Sequence, residues 1–239
     1  MVRELIHRRL GKHLGLSTVQ LYLLKWGFTP QKPLSRATQR SDAKIQHWLE
    51  QDYPKIARRA KREKALIYWG DETGVSNQDQ VGRSSAPRGQ TPVIHKTAKK
   101  LTTSMISAVN NRGLMRFMCF KGALNAGLFI TFLGRLIKDA PNRIFLIVDN
   151  LRVHKSVKVS QWVEAHKDEI ELHFLPPYAP ARNPDEYLNN DLKQQLKNLP
   201  RPDNHEDLVE ATSSVLRSLQ RKPHRIRAYC HHKDVHYAA

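Results

Sequence analysis

Five consecutive apolar residues, Ile144-Phe145-Leu146-Ile147-Val148, stopped by Asp149 and Asn150, constrain this chain more than any other feature. The run is of strand length, and with no polar position it has no face to turn to water. It therefore belongs in a sheet covered on both sides. A second apolar run, Ala65 to Trp69, meets Gly70 and Asp71. Thr102 to Val109 is β-rich, and the turn Asn110-Asn111-Arg112-Gly113 leads to Leu114 to Phe120, which predicts a hairpin. Leu128, Phe129, Phe132, Leu133, Leu136 and Ile137 recur at helical spacing between Asn125 and Ala140. A helix at about Ser156 to Asp168 and a strand at Ile170 to Leu175 follow. After the rigid connector Pro176-Pro177-Tyr178-Ala179-Pro180, Asn183 as cap and Pro184 at the first helical position open a helix running to about Leu199. The layout is α/β with a mixed central sheet.

The stretch before the sheet is helical. Residues 1–30 carry Leu5, Ile6, Leu10 and Leu14 at helical spacing, with Gly15 as the turn. Ser17 or Thr18 then caps a second helix with Val19, Leu21, Leu23, Leu24 and Trp26, closed by Gly27. Helix, glycine turn and capped helix make either a DNA-reading helix-turn-helix or an ordinary helical hairpin. As a DNA reader, this second helix offers Ser17, Thr18, Gln20 and Lys25 as contacts. Residues 31–64 read as an extended basic linker and helix ending Ala57-Arg58-Arg59-Ala60-Lys61-Arg62-Glu63-Lys64. Its charges are either a solvated face or, through Arg58 and Arg59, a phosphate-contacting one. Residues 65–200 form the main domain, and 201–239 add a helix around Glu206 to Leu219 and a basic, His-rich tail.

Charge narrows the partner. The 239 residues carry a formal net charge of +18, a self-repulsion that an anionic partner relieves, and nucleic acid is the partner whose phosphates dense Lys and Arg neutralise. An anionic membrane is the competing partner, but no long basic amphipathic helix with an aromatic face is evident. Two cysteines, Cys119 and Cys230, make no disulfide framework. No apolar stretch approaches a membrane span, and Met1 to Arg9 lacks the apolar core of a signal peptide. A cytoplasmic, nucleoid-associated protein of bacterial type is the expectation.

Three acidic residues carry the chemistry. Asp71 and Asp149 follow apolar strands, and Glu186 stands on the helix opened by Asn183-Pro184. Two-metal phosphoryl transfer needs hard oxygen ligands of this kind, and magnesium takes few of them because it keeps its waters. Each acid also has a structural reading: a turn for Asp71, a helix cap for Asp149, and capping-box spacing from Asn183 for Glu186. Asn150 and His154 follow the second strand as supports for a ligand or a phosphate, or, for His154, as a helix-start hydrogen bond. Glu186, Asn190, Lys193 and Lys197 share a broad helix face, which makes Lys193 and Lys197 candidate DNA contacts. Arg83 and Arg88, in the stretch Gly82 to Pro92, either clamp DNA or merely join strands. The tail Cys230-His231-His232-Lys233-Asp234-Val235-His236 lacks a second spaced ligand pair, so it is a weak zinc signal.

Gly70-Asp71-Glu72-Thr73-Gly74, the Gly82-to-Pro92 segment, Asp149-Asn150-Leu151-Arg152-Val153-His154 and Pro176 through Glu186 together resemble the DDE transposases, in the mariner-related insertion-sequence 630 family. The resemblance covers about residue 10 to about residue 200. It implies a ribonuclease H-like catalytic fold with Asp71, Asp149 and Glu186 as metal-binding triad, the last two 186 − 149 = 37 positions apart. It implies Mg2+ as cofactor, with Mn2+ as substitute. It also implies double-stranded DNA as partner: terminal inverted repeats and a target characteristically at TA, with a homodimer on DNA. Asn183 would support the triad. Family members usually begin with a further helix-turn-helix module, so truncation is expected. Arg182 stands where the family commonly has an apolar residue, and a charge there is expected to loosen the packing that aims Glu186. The alternatives to a transposase are a DNA-binding remnant on inverted repeats and a plain ribonuclease H-like nuclease.

Overall fold

All five positions of the run Ile144–Val148 are buried in the computed structural model, between two parallel neighbours. The structure describes residues 2–30, 41–78, 87, 99–138 and 140–239. The chain divides into two units, Met1–Thr38 and Gln39–Ala239.

In the first unit, α1 spans Val2–Leu10 and α2 Leu16–Lys25. Gly11, not Gly15, makes the left-handed turn after α1, at φ 64°. Its N–H bonds the His7 carbonyl, which leaves Leu14 outside the helix. Gly15 is instead the extended N-cap of α2, so the expected caps Ser17 and Thr18 lie in its first turn. Glycine without a side-chain acceptor is an acceptable cap, which is why the hydroxyl signal misled by two to three positions. Gly27 closes α2 as expected, at φ 81°, with paired bonds from Gly27 to Leu24 and from Phe28 to Leu23.

The second unit opens with α3 (Asp42–His47), capped by the Ser41 hydroxyl. A π-helical turn, Trp48–Asp52, leads straight into α4 (Tyr53–Glu63). The strands are β1 (Leu66–Ser76), β2 (Thr102–Val109), β3 (Met115–Phe120), β4 (Ile144–Val148) and β5 (Ile170–Phe174). The helices among and after them are α5 (Ala126–Lys138), α6 (Val157–Ala165), α7 (Asp185–Leu196), α8 (His205–Gln220) and α9 (Pro223–Tyr229). Strand order is β3-β2-β1-β4-β5, antiparallel on the hairpin side and parallel from β1 to β5.

Alternation along the strands assigns the two faces. Leu66, Tyr68, Ile144, Leu146 and Val148 meet Phe129, Phe132 and Leu133 of α5 and Val159 of α6. On the other face, Val75, Met105, Val109 and Met115 meet Leu188, Leu192 and Leu196 of α7 and the helices after it. Trp69 and Ile147, also on that face, join an aromatic cluster with Trp48, Tyr53 and Tyr237. The tail therefore folds back into the core: Tyr237 lies edge-on to Tyr53 at 4.7 Å and to Trp48 at 5.1 Å.

Strand β1 differs from its sequence reading. It does not end at Asp71 but continues to Ser76, because the antiparallel ladder with β2 carries it on, pairing Asp71 with Ser107 and Ser76 with Thr102. The parallel ladder with β4 stops earlier, at Trp69 opposite Ile147. Two residues beyond that pair stand Asp71 and Asp149, side by side where the two parallel strands part. The short apolar run marked only the part of the strand beside β4; the rest, buried at Thr73, Val75 and Ser76, is held by its hairpin partner.

Candidate active site

Asp71 and Asp149 owe their shared position to the parallel register, and both fall on the sheet face covered by α7. Glu186 arrives from the first turn of that helix. The three acids line one cleft of about 410 Å³, together with Asn150, Leu151, Asn183 and the connector Leu175–Pro180. Tyr178 is held there at φ 57°, half its ring exposed at the cleft.

Three side-chain bonds seat α7 on the strands. Asn183 Nδ2 donates to the Gly70 carbonyl at 3.0 Å while its Oδ1 accepts the Asp185 N–H at 3.1 Å. The Ser107 hydroxyl donates to Asp185 Oδ2 at 2.5 Å. Asn189 Nδ2 donates to Asp71 Oδ2 at 2.8 Å. Gly70 permits the close approach on the opposite face, where a Cβ would stand 3.2 Å from the Ser107 carbonyl and 3.3 Å from Leu146. The capping-box reading of Glu186 is not realised, since the Asn183 N–H bonds the Pro180 carbonyl instead.

Electrostatics separate the acids. Burial pushes the Asp71 carboxyl up to about 8, and the charges of Glu186 and Asp149 push the same way against the bonds from Glu72 and Asn189. Burial also raises Glu186, with Lys193 pulling down and Asp149 pushing up. Asp149 goes the other way: burial is outweighed by His154, the Leu151 N–H and Lys155, which hold it below the usual range. His154 Nδ1 lies 3.1 Å from Asp149 Oδ1, and that same oxygen accepts the Leu151 N–H at 3.0 Å. Asp149 does not cap the next helix, since Leu151 stands at the N-cap of the turn Arg152–Lys155 and Ser156 at that of α6; its bond to the Leu151 N–H closes a local turn before them. His154 is buried against Phe129, with ring centroids 4.5 Å apart.

Hard carboxylate oxygens of this kind suit magnesium or manganese, and their mutual repulsion is what a cation offsets. They are not drawn together into a finished cage. Among the described residues no three His, Cys, Asp or Glu side chains stand close enough to hold a metal ion. The donor set fits by type and by shared cleft, and the ligand sphere is open.

The remaining expected residues separate by environment. Asn150 supports the site from outside, donating to the Leu175 carbonyl and accepting from Lys155. Lys193 is half-buried near Glu186, and Lys197 is exposed at the end of α7. Ser17, Thr18, Gln20 and Lys25 are exposed on α2. Arg58 is exposed on α4, whereas Arg59 is engaged inward with Glu63 and Glu171 over the Phe145 ring. Arg83 and Arg88 lie outside the described residues. The charge of Arg182 is turned towards the tail. Its Nη1 donates to the Asp234 carbonyl at 2.6 Å, and its own carbonyl accepts from the Tyr237 hydroxyl. In the tail, burial pushes the Cys230 thiol up to about 12 and His232 stacks on Tyr187 at 4.0 Å, and among the described residues no three His, Cys, Asp or Glu side chains gather there.

Sequence reasoning missed Ser107, Asp185 and Asn189. Asp185 is fully buried, and burial, then the Asp71 charge, raises its carboxyl well above the ordinary value against the Ser107 bond. The signal was present. Leu188, Leu192 and Leu196 mark the inner face of α7, and positions 185 and 189 fall on it, so two polar residues occupy core positions.

Residues 66–209 match the family model described as DDE superfamily endonuclease, and residues 1–52 match that of the winged helix-turn helix. No curated protein sequence matches significantly. Among solved structures, the Mos1 transposase paired-end complex with left transposon end is similar at 17% identity and TM-score 0.64, over 99% of this chain and 74% of that one. The mariner Mos1 paired end complex with Mg gives 16%, 0.64, 99% and 74%. The catalytic domain of Mos1 mariner transposase gives 16% and 0.53, over 85% of this chain and 97% of that one. At such identity the likeness concerns the fold, and it bears out the ribonuclease H-like expectation together with the helix-turn-helix segment.

Proposed function

The chain belongs to the DDE superfamily of endonucleases, and from that premise we propose that it is a transposase of insertion-sequence 630 type, with Asp71, Asp149 and Glu186 as its metal-holding triad. The observation that carries this reading is the shared cleft: two aspartates level on adjacent parallel strands and a glutamate from the helix covering them. Bound Mg2+ or Mn2+ would supply Lewis-acid polarisation of the scissile phosphate and activation of the attacking oxygen. Asp149 enters ionised because His154 and the Leu151 N–H stabilise its charge. Asn183 and Asn189 tie Glu186's helix to Asp71's strand. DNA entering the cleft would bring its own phosphate oxygens as donors beside Asp71, Asp149 and Glu186.

The chemistry is two in-line displacements. A water oxygen bonds to phosphorus at the element end as the phosphorus–O3′ bond breaks, leaving a 3′ hydroxyl and a 5′ phosphate. That 3′ oxygen then bonds to a target phosphorus while the target's own O3′ leaves and takes up the proton. The exposed polar residues of α2 read the terminal inverted repeats. Exposed Arg58 and Lys197, with Lys193 beside the cleft, neutralise the backbone, and a homodimer brings two ends to a TA target.

The test uses the purified chain with labelled DNA from the ends flanking its own reading frame. Wild type is expected to cut at the repeats in Mg2+ or Mn2+, and Asp149→Ala to bind the same DNA with no cutting. Cutting by Asp149→Ala removes the triad. Binding without cutting by wild type in either metal favours a DNA-binding remnant instead.

A further inference from the structure

Asn189 sits where packing asks for an apolar side chain. It is 2% exposed, on the face of α7 that carries Leu188, Leu192 and Leu196 into the core. A buried amide in that place costs desolvation unless both its ends are bonded. Only one is: Nδ2 donates to Asp71 Oδ2 at 2.8 Å, while Oδ1 is buried with no partner among the described residues. The one bond it makes therefore goes to a carboxylate of the cleft.

The placement is particular in a second way. Glu186 lies one helical turn before Asn189, so one rigid turn carries both the helix's own acid and a hydrogen bond to the strand's acid. A carboxylate turns readily about its last bond, with broad, roughly two-fold preferences. A side-chain donor fixed at Oδ2 on the helix, acting with the Glu72 backbone bond on the strand, sets the plane of the group relative to α7. We propose that Asn189 is a positioning residue that fixes the rotation of Asp71 and its spacing from Glu186, so that the strand and helix acids receive a divalent cation as a matched pair. The inference rests on the triad reading above. Ser107 and Asp185 seat the same helix turn one position before Glu186, with the Ser107 hydroxyl on Asp185 Oδ2, which keeps Asn189 from sliding along β1.

Outer partners of metal-holding side chains cost about 10- to 100-fold in metal affinity or activity when removed. The test compares wild type, Asn189→Leu, Asn189→Ser and Asp71→Ala by two readouts. One is the Mn2+ midpoint (dissociation constant) fitted from the logarithmic rise of melting temperature with Mn2+ concentration, with no DNA present. The other is the Mn2+ concentration for half-maximal cleavage. Asn189→Leu keeps the number of side-chain heavy atoms and removes the donor, and is expected to raise both midpoints by about tenfold or more. Asn189→Ser keeps a donor and is expected to stay closer to wild type. If Asn189→Leu does not fold, Asn189→Ala against Asn189→Ser makes the same comparison.

Unchanged midpoints in Leu and Ser variants, or equal shifts in both, overturn the positioning role. A fall in metal-free melting temperature with the midpoints unmoved also overturns it, since that is the signature of packing alone. Asp71→Ala keeps the two failures apart. If it retains the Mn2+-induced rise, the triad reading fails; if it loses the rise while Asn189→Leu behaves as wild type, only the positioning inference fails.

Discussion

The side-chain amide of Asn183 donates to the carbonyl oxygen of Gly70 at 3.0 Å, joining the residue before Asp71 to the turn that launches the helix of Glu186. Both groups are buried, so the bond is made out of competition with water. Asn183→Ala leaves that carbonyl unsatisfied and is expected to destabilise the second unit by about 1–3 kcal/mol. Cleavage falls further than stability alone accounts for, because the helix loses its register on β1. Urea titration beside single-turnover cleavage at fixed DNA occupancy separates the two, and equal losses in both would reject the registering role.

As a ligand of the proposed triad, Asp71 would make metal binding a proton exchange. With its carboxyl pushed up to about 8, the metal-free protein holds a proton there at neutral pH that a cation must displace. Metal affinity is expected to rise about tenfold per pH unit up to about 8 and then level off. Calorimetry in two buffers of different ionisation enthalpy should find about one proton released per metal site at pH 7. No release would place Asp71 outside the site.

The same shift sets a sign for stability. The folded state binds the Asp71 proton more tightly than the unfolded chain does, so this contribution is complete below the ordinary value of 3.8 and is lost as pH rises towards about 8. In Asp71→Asn that contribution to the slope disappears. Melting temperatures from pH 5 to 8, without metal, are expected to fall less steeply for Asp71→Asn than for wild type.

His154 holds Asp149 ionised and in place through one short contact at 3.1 Å. His154→Ala is expected to reduce cleavage about 10- to 100-fold, while His154→Gln, which can still donate, recovers part of the loss. DNA binding through residues 1–52 should be unaffected in both, as read by filter binding. Equal activity in the two variants would mean that the imidazole acts only as filler against Phe129.

Tyr237 joins the tail to the sheet. Tyr237→Ala opens the cluster of Trp48, Tyr53 and Trp69 and is expected to cost about 3–5 kcal/mol. Tyr237→Phe keeps the ring and removes the hydroxyl with its bond to the Arg182 carbonyl and its interaction with Trp69, and should cost about 1–2 kcal/mol. Guanidinium unfolding curves of the two variants check the difference.

Periodicity carried the sheet. The apolar run at Ile144 to Val148, the hairpin turn at Asn110 to Gly113 and the helical spacing of Phe129, Phe132, Leu133 and Leu136 each reported a local rule, and each element formed. The length of β1 was not readable, because Asp71 to Ser76 are held by pairing with residues 102–107 and not by their own composition. The fate of the tail was hidden for a similar reason. Tyr237, Val235 and Ala238 look like a loose basic end until Trp48 and Tyr53 supply the surface they cover. In the cleft, the three acids announced themselves by context, but Asp185 and Asn189 could be found only by asking why polar residues occupy the leucine face of α7.

The aromatic cluster also bears on when this protein can act. Trp69, two residues before Asp71, is packed by Tyr237, which is made 237 − 69 = 168 positions later. Until the ribosome has delivered Tyr237, the strand that carries the first acid has an unfinished underside. Domains fold as units once their parts are present. Cutting competence therefore waits on residue 237, and a chain broken off before it has the cleft's acids without that packing beneath β1.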